Sequence, residues 1–142
     1  MRLKLLQVIL LATAFGWGIS IYGIFCSWES ALHQLKGLGA DNIPHDPMLD
    51  YWLRMTAGAF TCIGIFLAMM ALNPKKFSAA IPFAGVLLFA EGIVLLVHGI
   101  RLNLEPIPFY VDTAFCFATG IGIWLLRNEA RKIPDKLKND IL

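Results

Sequence analysis

The stretch Tyr51 to Leu72, YWLRMTAGAFTCIGIFLAMMAL, runs for 22 residues with a single charge, Arg54, close to its start. A helix rises about 1.5 Å per residue, so a segment of this length matches the roughly 30 Å hydrocarbon core of a bilayer. It is closed by Asn73-Pro74-Lys75-Lys76 and followed at once by a second apolar run, Phe77 to Ile100. Pro74 cannot continue a helix, and so short a turn reverses the chain. Spans 51–72 and 77–100 are therefore expected as antiparallel neighbours. Further out, Leu5 to Trp28 and Phe109 to Leu126 are apolar over similar lengths. The expected fold is all-α, a single membrane domain over 1–142 built as a bundle of four transmembrane helices.

Composition agrees. At 58% hydrophobic residues, a soluble chain of 142 residues would carry more apolar surface than it could cover. If the spans alternate, nine of the twelve Lys and Arg residues fall on one side: Arg2, Lys4, Lys75, Lys76, Arg127, Arg131, Lys132, Lys136 and Lys138. Lys36, Arg54 and Arg101 are left for the other. The positive-inside rule then places both termini and the tail 127–142 in the cytoplasm, with the loop 29–50 outside. A formal charge of +2 gives no reason to expect nucleic acid as a partner. Met1-Arg-Leu-Lys4 and Ala12-Thr13-Ala14 imitate a cleaved signal peptide, but hydrophobicity continues to Trp28, and the first span is expected to stay.

Beyond Trp28, the residues Ala31, Leu32, Leu35 and Leu38 keep helical spacing, which predicts an interfacial segment stopped by Gly37 and Gly39. Residues 40–50, rich in Pro and Asp, read as an extended loop that folds back over the outer mouth. Small residues recur four apart as Ala12, Gly16 and Ser20, as Gly64 and Ala68, as Ala80 and Ala84, and as Ala114, Ala118 and Gly122. Such ridges let helices approach closely, within the bundle or toward a partner subunit or second copy. Cys26, Cys62 and Cys116 are odd in number and widely spaced, without metal-ligand or redox spacing, so packing is their expected role.

The chemistry rests on a few polar residues inside the spans. Glu91 lies well within 77–100, where a carboxylate facing lipid is costly, so it is expected to face the bundle interior. His98 follows two turns later on the same face, about 10 Å nearer the outer surface, and Arg101 continues toward solvent. Trp52 and Arg54 stand in the outer end of the second span, Asp112 and Thr113 in that of the fourth, and Tyr22 in the outer half of the first. A pocket open to the outer half of the membrane is expected. Glu91 and His98 would be its acid/base pair, and Trp52, Arg54, Arg101 and Asp112 its ligand contacts, the arginines as anchors for an anion or headgroup. The competing reading is that these groups satisfy one another across helices and fix the packing register.

Glu29 and His33, at i and i+4, with His45, Asp46 and Asp50 in the loop, have the residue types of a metal site but no supporting shell, so no metal is expected. Gly16-Trp-Gly18 and Gly120-Ile-Gly122 neither follow a strand nor open a helix, which excludes a nucleotide loop, and no other cofactor motif is present. No loop is long enough to build a soluble catalytic domain.

Asp50-Tyr-Trp-Leu-Arg-Met-Thr-Ala-Gly58, Ala71-Leu-Asn-Pro74 and Ala90-Glu-Gly-Ile-Val-Leu-Leu-Val-His98-Gly-Ile-Arg101 together resemble small, uncharacterised bacterial four-helix membrane proteins loosely akin to the DoxX-like group. The resemblance covers about the last two thirds of the chain. It implies a four-span bundle in a bacterial cytoplasmic (inner) membrane and carries no mechanism. Emopamil-binding-type membrane isomerases share residue types, Glu, His and Trp around an apolar substrate, but no motif, and the likeness is one of fold-level analogy. Three functions stand open. The first is binding of a lipid-like or amphiphilic ligand, with or without acid/base chemistry. The second is a non-catalytic accessory subunit of a membrane complex. The third is proton or small-solute transport. Enzyme activity is not expected unless Glu91 and His98 supply it.

Overall fold

The computed structural model describes residues 1–133, and within them every regular element is a helix. The end of the tail, with Pro134, Lys136 and Lys138, lies outside the described residues. Four segments, Arg2–Phe25, Pro47–Leu72, Ala80–Arg101 and Phe109–Glu129, are long and apolar enough to cross a membrane.

The first span differs from the uninterrupted run expected over 5–28. Helix α1 (Arg2–Gly18) passes into α2 (Ile21–Phe25) through a tightened turn at Ile19 and Ser20. There the Ser20, Tyr22 and Gly23 amides reach carbonyls three residues back instead of four. Cys26 and Ser27 are extended, and α3 (Trp28–Gly37) begins anew with the Ser27 hydroxyl accepting from the Ser30 amide at 3.2 Å. At its far end Gly39 takes φ +91°, a conformation that suits glycine.

Helix α4 spans Pro47–Leu72, beginning at Pro47 rather than at Tyr51. The Pro/Asp-rich segment expected to be loop throughout ends in a helix start: the Asp46 carboxylate accepts from the Met48 amide at 2.7 Å and the Leu49 amide at 3.3 Å. Pro47, with no N–H to lose, occupies the first turn. Helices α5 (Ala80–Arg101) and α6 (Pro106–Leu126) follow, and a short 3-10 turn, Arg127–Glu129, ends the described chain.

The pairing expected of the second and third spans does not describe the closest packing. Helix α4 packs mainly on α1 and α2, α5 mainly on α6, and α1 also meets α6. Glycines explain the choice. A Cβ on Gly64 would stand 2.6 Å from the Gly18 amide nitrogen and 2.8 Å from the Ala14 carbonyl oxygen, so α4 presents its bare backbone to α1. A Cβ on Gly120 of α6 would stand 2.8 Å from the Phe89 nitrogen and 3.0 Å from the Gly85 carbonyl oxygen. Gly85, Gly92 and Gly99, seven apart along α5, all face α6 in this way. The hairpin of α4 and α5 is held near its turn by an edge-to-face contact of Phe66 with Phe77, ring centroids 5.7 Å apart.

The two ends of the bundle are packed differently, and a further cavity of about 260 Å³ opens between α5 and α6 beside Gly85, Gly120 and Trp124. Toward the end that carries both the N-terminus and the 3-10 turn, Leu6, Leu10, Leu67, Met70, Ile81, Leu88 and Ile123 form one buried cluster. The Gln7 amide donates to the Ala71 carbonyl at 3.0 Å and ties α1 to α4 there. Three buried hydroxyls are satisfied along their own helices, Thr13 donating to Ile9, Thr61 to Ala57 and Thr119 to Phe115, each at 2.7 Å, whereas that of Thr113 has no partner among the described residues. Toward the opposite end, which carries α3 and the loop between α5 and α6, the packing opens into cavities.

Candidate ligand-binding site

The larger cavity, about 700 Å³, lies between the end of the first span, α3 and the first half of α4. Its size falls in the range of about 300–1,000 Å³ usual for ligand pockets. Ala31, Leu35 and Leu38 of α3 line one side and Leu53, Ala57 and Phe60 of α4 the other, with Ser20 and Gly23 between them. Helix α3 is amphipathic, and these residues are its apolar face. Its polar face, with Glu29, His33 and Lys36, is exposed. The helix rests on the bundle through few contacts: Trp28 meets the His45 ring edge-on at 5.0 Å, and Gly39 abuts the Glu105 side chain.

Arg54 borders this chamber but is committed to the protein. Its guanidinium donates to the Gly23 carbonyl at 2.8 Å, to the Cys26 carbonyl and, at 2.9 and 3.1 Å, to the Asp50 carboxylate. Gly23 and Cys26 carry carbonyls left without helical partners where α2 ends, and a planar donor group with several N–H bonds satisfies both. Arg54, expected as an anchor for an anion, thus ties α4 to the α2–α3 connection while it borders the chamber.

A second cavity, about 240 Å³, sits between all four long helices. Gly16, Trp17 and Ser20 come from the first span, Phe60 from α4, Glu91 and Leu95 from α5, and Asp112, Phe115 and Cys116 from α6. Ser20 and Phe60 line both cavities, so the two adjoin. Ser20, in the turn where α1 tightens, and Phe60 of α4 stand at their boundary. Trp17 meets Phe60 edge-to-face at 4.8 Å, and Phe115 lies over Gly16, where a Cβ would come within 2.7 Å of its ring.

Glu91 and Asp112, on different helices, are the acids of this inner cavity, and neither forms a hydrogen bond or ion pair with another described residue. His98 does not join them. It shares the helical phase of Glu91, but the wall supplied by α5 consists of Glu91 and Leu95, and His98 one turn further on is exposed. Arg101 is exposed at the end of α5, and Trp52, 54% exposed, projects from the outside of α4. Neither lines either cavity. Of the six expected site residues, Glu91 and the exposed Asp112 thus line the inner cavity, Arg54 borders the chamber, and His98, Arg101 and Trp52 line neither. Sequence reasoning missed Trp17, Ser20 and Phe60; the tryptophan between two glycines was a signal available for the first. Among the described residues no three His, Cys, Asp or Glu side chains stand close enough to hold a metal ion.

No protein-family model matches the chain, and neither a curated protein nor a solved structure matches it.

Proposed function

We propose that the chain is a multi-pass membrane protein that binds an amphiphilic, lipid-like ligand, with both termini in the cytoplasm and the cavities opening toward the outer half of a bacterial inner membrane. The observation that carries this reading is two adjoining cavities: an apolar chamber under α3 shares Ser20 and Phe60 with a smaller cavity lined by two carboxylates. Apolar volume beside a few convergent polar groups is the usual anatomy of a small-molecule site. A ligand with an apolar body and a polar head matches that division. Binding needs no acid/base chemistry, and with His98 outside the inner cavity the geometry favours a binding protein over an enzyme.

The test is native mass spectrometry of the protein released from gently solubilised membranes. The expected result is a bound amphiphile of defined mass, lost when Ala31→Trp fills the chamber from the α3 side. A chain that carries no such mass, or that carries it equally in both forms, would remove the reading.

One observation favours a second reading, an accessory subunit. Ala114 and Ala118, four apart on α6, remain exposed, and a small-residue ridge suits a neighbouring helix. A stoichiometric protein partner in the same spectra would put that reading ahead.

A further inference from the structure

We propose that the inner cavity takes the positively charged head of an organic cation, whose apolar body passes Ser20 and Phe60 into the chamber under α3. The inference rests on the amphiphile-binding reading and adds the chemical class of the head. Its ground is the charge inventory of the two cavities. Arg54 borders the chamber with its charge met by Asp50 and two carbonyls, so the chamber offers an apolar surface without uncompensated charge. The inner cavity is lined by Glu91 and Asp112 and by no Lys, Arg or His.

A carboxylate at membrane depth is costly without a counter-charge whether it faces lipid or a cavity, and neither the half-buried Glu91 nor the exposed Asp112 has one among the described residues. A ligand bearing phosphate or carboxylate would bring a further acid to a cavity that already holds two. An alcohol could donate one hydrogen bond but would leave the charge unmet. A quaternary or primary ammonium supplies the missing charge, and the walls suit it further. Trp17, Phe60 and Phe115 line the same cavity as the two acids, and the negative faces of aromatic rings attract organic cations. At about 240 Å³ the inner cavity admits a compact head and leaves the chain to the chamber of about 700 Å³.

Three ligands of equal chain length decide the matter: octyltrimethylammonium, octanol and octanoate. Each is titrated against the full chain in dodecyl maltoside micelles, whose sugar head carries no ammonium to compete, with empty micelles subtracted. The ammonium is expected to bind saturably and at least about tenfold more tightly than the alcohol or the acid. Glu91→Gln and Asp112→Asn should each weaken ammonium binding about tenfold and leave octanol unchanged. Because the three-ligand comparison uses the unaltered protein, it stands even if a variant fails to fold. Octanol or octanoate binding as tightly as the ammonium, or full ammonium binding by both folded variants, would overturn the inference. So would a failure of all three ligands. In that last case a copurified amphiphile displaced by Ala31→Trp would leave the amphiphile reading intact, and its absence would remove both.

Discussion

At the scale of single residues, two charged groups that look alike in sequence play opposite parts. Arg54 is held by three acceptors, whereas Glu91 faces a cavity without a partner. Arg54→Met should therefore cost about 1–3 kcal/mol of stability, because two carbonyls and the Asp50 carboxylate lose their donor. Arg54→Lys should recover only part of it, since a point ammonium cannot reach all three acceptors at once. Thermal unfolding in detergent checks both. Glu91→Gln should do the reverse, leaving stability within about 1 kcal/mol, the scale of an interhelical polar contact, while ligand retention falls. Equal loss of stability in Glu91→Gln and Arg54→Met would show that Glu91 is a packing residue. The position of Glu91 in a long apolar run was enough to mark it from sequence. The Asp50 partner of Arg54, four residues before it on one helix, was legible, but the two carbonyls were not, because a helix end exposes them without leaving a mark on residue types.

At the scale of the helices, apolar length and Pro74 indicate four long helices and a reversal between the second and third, and those elements are present. Which helix lies against which is written in the glycines, and a ridge of small residues does not name its partner. Gly64 could have faced α5 as well as α1; only the register of the folded helices shows that it meets Gly18. The break at Ile19 and Ser20 was hidden for a different reason: both residues remain in right-handed helical conformation, and the change is one of hydrogen-bond spacing. These contacts make a paired prediction. Gly64→Ala places a methyl against rigid backbone and should destabilise by about 1–3 kcal/mol, as overpacking does. Gly58→Ala, on the same helix with open space where its Cβ would stand, should be neutral or stabilising by up to about 1 kcal/mol. Parallel melting curves of the two variants would settle it, and similar losses in both would contradict the packing of α1 on α4.

At the scale of the whole molecule, the difference in packing between the two ends coincides with the distribution of charge. The end with the buried cluster carries Arg2, Lys4, Lys75, Lys76, Arg127, Arg131 and Lys132, while α3 and the two cavities lie at the other. Positive residues at one end argue that this end stays in the cytoplasm, so the cavities should open into the outer half of the membrane. Single cysteines in a cysteine-free background test it. Asn42 and Asn103 both stand in connections at the end that carries α3, each exposed and with positive φ, and Lys75 stands in the turn at the opposite end. Asn42→Cys and Asn103→Cys should react with a membrane-impermeant maleimide applied to intact cells, and Lys75→Cys should react only after the membrane is opened. The reverse pattern would turn the chamber toward the cytoplasm and place its ligand in the inner leaflet. Labelling of all three from outside would deny the four-span topology on which the position of both cavities depends.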